Sequence, residues 1–254
     1  MGDMKTAIMI PTYNEAENIE SLIDEVLSIT DEIGVVVVDD DSPDGTARVV
    51  GNMGDRGGRI HLLVRRGERG RGTAGIAGFK YALSQGPEID IIGEMDADFS
   101  HDPKYLKDFL KEIKNCDIVI GSRAAFGGGE EGRSLIRRAI TSFAAFYIRL
   151  ISGIEVGDPT SGYRLFRREI VEAMDLDGMI STGPSIVQEM LYQALKAGFT
   201  YTEVPILFSD RRAGEPKFNW KIGIESFIMM AKFRLKYGKL VKLKDSNNHG
   251  KEKK

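Results

Sequence analysis

The sequence has 254 residues, of which 42% are hydrophobic and 29% are charged, a balance that is ordinary for a globular protein. Its single cysteine, Cys116, excludes an internal disulfide framework, and no apolar run reaches the roughly 18 residues that a membrane-spanning helix needs. The start of the chain has no hydrophobic signal core, so we expect a cytoplasmic protein, and the net charge of −3 predicts no nucleic-acid partner.

Apolar runs and amphipathic stretches alternate through the first half of the chain. Asn14 is a suitable N-cap for the first helix, which the spacing of apolar residues predicts. This alternation predicts an α/β fold with a mostly parallel central sheet and helices on both faces. Strands are predicted at 5–10, 35–38, 60–64, 89–95 and 117–122, and helices at 19–27, from 46, at 74–84 and at 103–114.

The second half begins with a glycine-rich segment, 126–132. Its composition predicts a backbone without a fixed conformation, and so a mobile lid or acceptor loop. After it the pattern predicts a helix at 134–151, a strand at 163–166, a helix at 186–197 and a last sheet strand at 202–208.

Acidic residues follow three of the predicted strands, at 14–15, 39–40 and 96–98. The carboxyl ends of parallel strands meet at one edge of a sheet, where open α/β sheets bind their ligands. Asp96 and Asp98 are oxygen donors one residue apart, and Mg²⁺ or Mn²⁺ completes its shell with waters and substrate phosphates. The sequence therefore predicts a metal-assisted nucleotide-diphosphate site. The segment Gly70-Arg71-Gly72-Thr73 indicates only a tight turn before a helix, because it has neither Rossmann nor P-loop spacing.

Several ordered motifs carry a resemblance to a known family. The sequence resembles family 2 glycosyltransferases of the GT-A fold, and within them the dolichyl- or polyprenyl-phosphate mannose synthases. The likeness covers about residues 5 to 220 and rests on segments 11–15 (PTYNE), 38–46 (VDDDSPDGT), 95–103 (MDADFSHDP), 121–123 (GSR), 158–165 (DPTSGYRL), 203–206 (EVPI), 210–211 (DR) and 214–217 (GEPK).

The resemblance implies a role for each matching residue. A nucleoside pocket would consist of Pro11, Tyr13, Glu15, Val38 and Asp40. The metal would bind Asp96 and Asp98, which with Ala97 would also hold the donor diphosphate. The implied phosphate-binding cations are Arg123, Arg211 and Lys217, with Arg137 for the acceptor phosphate; the implied catalytic set is Asp98, Arg123, Arg137 and Arg211.

Two residues depart from the family pattern. Asp41 stands where glycine is common, which puts the form of that turn in doubt. Ser100 stands where some relatives have a glutamine metal ligand, which puts the last protein ligand in doubt.

The resemblance implies an inverting, Mg²⁺- or Mn²⁺-dependent transferase that moves mannose from GDP-mannose to a prenyl phosphate, giving a β-linked product. Three alternatives remain open: a prenyl-phosphate glucosyltransferase using UDP-glucose, a sugar-nucleotide-binding subunit that recruits a membrane enzyme, and a sugar-nucleotide pyrophosphorylase. The last is disfavoured because 11–15 replaces its glycine-rich first loop.

The segment after the transferase domain, predicted at 1–219, has its own composition. Residues 220–254 predict an amphipathic basic helix with a disordered tail, because one helical face is apolar and nine Lys or Arg after residue 231 give a charge of +7. Met229, Met230 and Phe233 lie off that main apolar stripe. This pattern predicts peripheral binding to the cytoplasmic face of a membrane, with or without a small anchoring subunit, although packing on the protein's own domain would give a similar pattern.

Overall fold

The computed structural model describes residues 4–131, 135–209 and 220–240, and of 135–141 and 220–227 it describes the backbone only. The strands are β1 (Lys5–Thr12), β2 (Ile33–Asp39), β3 (Ile60–Val64), β4 (Ile89–Glu94), β5 (Ile118–Ser122), β6 (Gly129–Glu130), β7 (Arg164–Arg167), β8 (Tyr201–Pro205) and β9 (Leu207–Phe208). The helices are α1 (Ile19–Leu27), α2 (Thr46–Asn52), α3 (Arg71–Ser84), α4 (Leu106–Glu112, after a 3-10 turn at Pro103–Tyr105), α5 (Leu135–Ser152), α6 (Arg168–Ala173), α7 (Ile186–Lys196) and α8 (Trp220–Tyr237).

Seven strands form one sheet in the order β3-β2-β1-β4-β7-β5-β8. Strand β7 is antiparallel to β4 and β5, and the other pairings are parallel. The fold is therefore α/β with a mostly parallel sheet, as predicted. Strand β7 lies between β4 and β5 and runs antiparallel to both, which places residues from the second half of the chain beside β4.

Successive side chains of the central strands point to opposite faces of the sheet. Val35 and Val37 of β2 pack in one buried cluster with α1 and α4, whereas Val36 and Val38 pack in another with α3 and α7. Each valine side chain buried in this way contributes about 1.5–3 kcal/mol of hydrophobic stabilisation. Four consecutive valines are needed because this strand is covered on both faces.

Two local predictions were wrong. Asn14 does not cap α1: the helix begins at Ile19 after Asn18, and Asn14 has the left-handed φ of 58° in the turn before it. The segment 126–132 has regular structure in its middle, because Gly129 and Glu130 form β6, which pairs with Leu207 and Phe208 of β9. Composition could not show this pairing, since the partner strand lies about 80 residues away.

Helix α8 packs on the transferase domain. Met229, Met230 and Phe233, which lie off the main apolar stripe, are buried in the same cluster as α7, while Ile228 and Leu235 are exposed. Arg234 Nη1 donates to the carbonyl of Ile151 at the end of α5, 3.0 Å away. Among the described helices, none is both long and apolar enough to cross a membrane. The domain boundary at 219 stays a prediction, and the tail 241–254 lies outside the described residues.

Candidate active site

A cleft of about 600 Å³ lies at the carboxyl ends of β1, β2 and β4. The three predicted acidic segments meet there, together with the start of α3 and the loop before α7. The lining residues are Pro11, Thr12, Tyr13, Glu15, Asp40, Arg69, Gly70, Arg71, Ala74, Asp96, Ala97, Asp98, Thr182, Gly183 and Pro184. Seven of the predicted donor-site residues are in this set, so the sheet brings together positions up to 87 residues apart, from Pro11 to Asp98.

The loops that form the cleft contain strained backbone. Asn14, Asp41 and Phe99 have φ angles of 58°, 54° and 62°, and each follows one of the three strand ends. Such left-handed residues cost on the order of 1–3 kcal/mol each and concentrate at functional sites. Asp41 thus adopts a conformation that favours glycine, which explains why a glycine suits this position and shows that the departure leaves the turn intact.

Asp39, the last residue of β2, and Asp40, the next residue, have different roles. Asp39 is buried and builds its own loop, because its carboxylate accepts hydrogen bonds from Thr12 Oγ1 at 2.8 Å and from Ser42 Oγ at 2.6 Å. Asp40 lines the cleft, where its Oδ1 accepts from Arg65 Nε at 2.8 Å and its Oδ2 accepts from the amide of Gly70 at 2.9 Å. Sequence analysis missed Arg65, which fixes Asp40 beside the first turn of α3.

Tyr13 provides an aromatic surface at the mouth of the cleft. The guanidinium carbon of Arg69 lies 4.7 Å from the centre of the Tyr13 ring. Glu15 lines the same cleft and is largely buried, and its Oε2 accepts from Asn18 Nδ2 at 3.1 Å. The ring and the cation form a flat platform on which a base or another planar group can stack.

Asp96 and Asp98 form the acidic part of the cleft. Asp98 is 8% exposed, and its Oδ1 accepts from the amide of Ser100 at 3.1 Å and from Ser100 Oγ at 2.6 Å. His101 Nδ1 accepts the amide proton of Asp96 at 3.0 Å, so the other ring nitrogen, Nε2, carries the proton and lies 3.7 Å from Asp96 Oδ2. Burial lowers the pKa of His101 although both aspartates oppose this, and the ring stacks on Tyr163.

This donor set fits a magnesium or manganese ion that is shared with a substrate. Asp96 and Asp98 supply hard oxygen donors, and no group of three or more His, Cys, Asp or Glu side chains suited to a metal occurs in the part of the chain that the structure describes. Two carboxylates are what Mg²⁺ takes from a protein when phosphates and waters fill its remaining positions. Ser100 positions Asp98 here.

Arg71 is a further cation in the cleft that sequence analysis did not single out. Its Nη1 donates to Glu94 Oε1, and its Nη2 lies 3.3 Å from Asp96 Oδ1. Burial works to lower the pKa of Arg71, but the charges of Glu94 and Asp96 outweigh it and raise the pKa. The neighbouring Gly72 admits the loop before α7, since a Cβ there would lie 2.6 Å from the carbonyl oxygen of Ser181. At Gly70-Arg71-Gly72-Thr73 the chain therefore passes close to the loop before α7.

Arg123 lies in a second, smaller depression of about 230 Å³. Its Nε and Nη2 donate to the two carboxylate oxygens of Asp158 at 2.6 and 2.8 Å, and its Nη1 lies 3.2 Å from Glu130 Oε1. Ser142 and Ala145 of α5 line the same depression. The predicted phosphate-binding arginine is thus held by acids beside α5.

Of the remaining predicted positions, only Val38 and Arg123 have described side chains, and neither lines the cleft. The side chain of Val38 is fully buried in the hydrophobic cluster with α3, and only its carbonyl, 3.4 Å from Thr12 Oγ1, points to the loop. The side chain of Arg137 lies outside the described residues, as do Arg211 and Lys217.

Glu189 is a buried residue of α7 whose carboxylate lies near the cleft loop. Its Oε1 accepts from the amide of Ile180 at 2.9 Å and from Tyr237 Oη at 2.6 Å, and its Oε2 accepts from the amide of Ser181 at 2.8 Å. Burial and the Glu189 contact raise the pKa of Tyr237. The carboxylate therefore joins α8 to the loop whose next residues, from Thr182, line the cleft.

The sequence model of the family described as Glycosyl transferase family 2 matches residues 7–175, which contain every described acidic residue of the cleft. The chain belongs to glycosyltransferase family 2. It is 35% identical over 232 residues to an undecaprenyl-phosphate mannosyltransferase from Micrococcus luteus, an alignment that covers 91% of this chain and 95% of the relative. It is also 35% identical over 217 residues to a polyprenol monophosphomannose synthase from Mycolicibacterium smegmatis, covering 85% of this chain and 81% of that one.

Solved structures show the same fold. The glucosyl-3-phosphoglycerate synthase from Mycobacterium tuberculosis, crystallised with Mn²⁺, UDP and glucosyl-3-phosphoglycerate, superposes with a TM-score of 0.66 at 17% identity. The match covers 96% of this chain and 82% of the synthase. A complex of the same synthase with Mn²⁺ and UDP-glucose gives a TM-score of 0.67, covering 96% and 81%. This family 2 glycosyltransferase therefore has a GT-A-like architecture.

Proposed function

We propose that this glycosyltransferase moves mannose from GDP-mannose to the phosphate of a polyprenyl or dolichyl phosphate, with inversion, to give a β-linked prenyl-phosphate mannose. The observation that carries the proposal is the meeting of Tyr13, Asp40, Asp96 and Asp98 in one cleft of a chain that is 35% identical to two prenyl-phosphate mannosyltransferases. The size and lining of the cleft fit a nucleoside diphosphate with one sugar.

Different residues along the cleft bind the base, the ribose and the diphosphate of the donor. Tyr13 and Arg69 hold the base by stacking, while Asp40, fixed by Arg65, faces the ribose region. Asp96 and Asp98 hold Mg²⁺ or Mn²⁺, which when bound neutralises the charge that develops on the leaving diphosphate. The Mn²⁺ and UDP bound by the structurally similar synthase support a requirement for a divalent metal. Ser100 keeps Asp98 oriented, which makes the site ready before the donor arrives.

The acceptor needs no general base. A phosphate monoester has a second pKa of about 6, so near pH 7 it is already an anionic nucleophile. The difficulty is to bring this anion close to a second set of phosphates, and cations solve it. Arg123, Arg137, Arg211 and Lys217 take this role. The shared depression of Arg123 and α5, the helix that also contains Arg137, supports an acceptor-phosphate site there.

The prenyl chain and the membrane surface lie against α5 and α8. Exposed apolar side chains run along α5 at Phe143, Phe146 and Leu150, and α8 adds Ile228 and Leu235. The exposed lysines of α8 attract anionic headgroups, each by about 1 kcal/mol near the surface. We propose peripheral binding at the cytoplasmic face of a membrane, alone or with a small membrane-anchoring subunit.

The test is a donor screen with a short-chain prenyl phosphate. GDP-mannose and UDP-glucose are each offered with Mg²⁺ and with Mn²⁺, and the anomeric configuration of the product is read by NMR. Transfer from GDP-mannose with a β product supports the proposal, whereas transfer only from UDP-glucose makes the protein a prenyl-phosphate glucosyltransferase. Binding of a nucleotide without turnover under every condition makes it a binding subunit, which the complete Asp96 and Asp98 pair argues against.

A further inference from the structure

Arg71 occupies a position between two carboxylates that belong to different parts of the cleft. Its Nη1 donates to Glu94, which is 1% exposed at the end of β4, and its Nη2 lies 3.3 Å from Asp96, which is 38% exposed. The guanidinium has room there because residue 162 is a glycine, whose Cβ would lie 3.0 Å from Arg71 Nη2. This fork places a cation beside one of the two carboxylates proposed for the metal.

Glu94 neutralises only part of the positive charge of Arg71, because it also interacts with a second arginine. A second cation lies close by, because the buried Arg164 of β7 is the residue paired with Glu94 of β4. Burial lowers the pKa of Arg164 to about 10, and Glu94 is the main charge that holds it up, so Arg164 is still cationic at neutral pH. Glu94 Oε2 and Arg164 Nε are buried without a hydrogen-bond partner in the structure. Glu94 thus feels the charge of two arginines, and of these Arg71 also lies beside Asp96. Asp158 and Glu203 further help to hold up the pKa of Arg164.

We propose that Arg71 couples metal binding to donor binding. While the cleft is empty, Arg71 neutralises part of the charge of Asp96 and competes for one of its oxygens, so a divalent cation alone binds weakly. A donor diphosphate brings negative charge that offsets Arg71, and the metal then binds tightly. The coupling is reciprocal, since the metal must strengthen diphosphate binding by the same factor. Arg71 is in this sense a positioning residue that acts through Asp96, and the inference rests on the proposed metal and donor site.

The test measures Mn²⁺ affinity without any turnover. Mn²⁺ is titrated into the full chain and followed by electron paramagnetic resonance, first alone and then with saturating GDP or UDP, whichever nucleotide binds. In the unaltered protein we expect the nucleotide to tighten Mn²⁺ binding at least tenfold. In Arg71→Met we expect Mn²⁺ alone to bind about tenfold tighter and the effect of the nucleotide to shrink by the same factor, because the repelling cation is gone.

Two further variants keep the test decisive. Arg71→Lys retains a cation for the buried Glu94, which protects folding, but one ammonium group cannot span Glu94 and Asp96 as the guanidinium fork does. The affinity of Arg71→Lys for Mn²⁺ without nucleotide should therefore increase by a smaller factor than that of Arg71→Met. Arg69→Met removes a cation of the same cleft that stacks on Tyr13. The affinity of this variant for Mn²⁺ without nucleotide should equal that of the unaltered protein.

The inference is overturned if both Arg71 variants bind Mn²⁺ alone as weakly as the unaltered protein, or more weakly. It fails separately from the proposed function. A protein that transfers no sugar but shows tighter Mn²⁺ binding in Arg71→Met refutes the proposed reaction and supports the coupling.

Discussion

Asp158 and Arg123 form a bidentate ion pair, in which the carboxylate oxygens accept from Nε at 2.6 Å and from Nη2 at 2.8 Å. Asp158 also accepts from the backbone amide of Arg123 at 3.1 Å. Only 12% of the arginine side chain and 4% of the aspartate side chain are exposed. Burial works against the charge on Asp158, but the contacts with Arg123 outweigh it and lower the pKa of Asp158. The pair therefore fixes Arg123 at the edge of the second depression before any substrate binds.

Asp158→Asn should destabilise the protein by about 3–5 kcal/mol at pH 7, because it leaves Arg123 buried without its counter-charge. The pKa of Asp158 is lowered on folding, so its contribution is present above about pH 4 and is lost as the pH falls through the folded value. Urea unfolding of both proteins at several pH values measures this. A difference that does not shrink below pH 4 would contradict it. Glu172→Gln, which breaks the more exposed Glu172–Arg168 pair, is the matched control and should change stability by less than about 1 kcal/mol.

Asp98→Asn should remove most activity with Mg²⁺ or Mn²⁺ and leave the fold intact. The amide oxygen can still accept from Ser100, so the loop keeps its hydrogen bonds, but the charge that serves the metal is gone. Steady-state turnover and thermal unfolding are measured together. A melting temperature far below that of the unaltered protein would mean that Asp98 is structural, and normal turnover would mean that the metal site lies elsewhere.

Arg137→Ala should cost more turnover than Glu189→Gln, by roughly 10²-fold, if cations rather than a base activate the acceptor. The contacts of Glu189 support this order: two backbone amides and Tyr237 already bind its carboxylate, so it positions the loop before α7 and the end of α8. Both variants are measured with saturating donor and a soluble prenyl phosphate.

The matched control for Glu189 is Tyr237→Phe, which removes one of those hydrogen bonds without touching the carboxylate. It should raise the KM for the donor in the same direction as Glu189→Gln, by a smaller factor. If Glu189→Gln is instead the less active enzyme, and a stronger external base restores it, the acceptor is a hydroxyl group and the proposed substrate class is wrong.

Membrane binding should depend on the exposed faces of α5 and α8. Removing 220–254 would also expose the core that Met230 and Phe233 fill, so point substitutions test this better. Phe146 and Leu235 are 56% and 86% exposed, and Phe146→Asp with Leu235→Asp should abolish flotation with anionic liposomes while preserving thermal stability. Binding of the unaltered protein should weaken with salt, because part of the attraction is screened.

A second double variant, with substitutions on the other face of the sheet, tests whether net charge alone explains the loss of membrane binding. Lys111→Gln with Lys114→Gln changes the net charge by as much as the two aspartate substitutions do. These lysines lie in α4 and just after it, a helix that packs in the opposite hydrophobic cluster from α8, so flotation should be unchanged. Equal loss of binding in both double variants would mean that net charge alone drives the interaction.

The sequence by itself determined the sheet and most of the cleft. Period and composition locate the strands, and a parallel sheet necessarily brings the residues after 12, 39 and 94 to one edge, so Asp40, Asp96 and Asp98 were predictable as neighbours. The burial of the valine run of β2 follows from the same rules, because an apolar run of that length in a strand is covered on both faces.

Only the tertiary structure decided which charges meet. Arg65 reaches Asp40, Arg71 joins Glu94 to Asp96, and Asp158 holds Arg123, although these partners are 23 to 35 residues apart in ways that no local pattern marks. Glu189 links a loop to α8, and Met230 and Phe233, which lie off the apolar stripe that the sequence suggests, are on the buried side of α8. The physical reason is that periodicity fixes which face of an element is apolar, whereas the partner of a charged side chain depends on how separate elements pack.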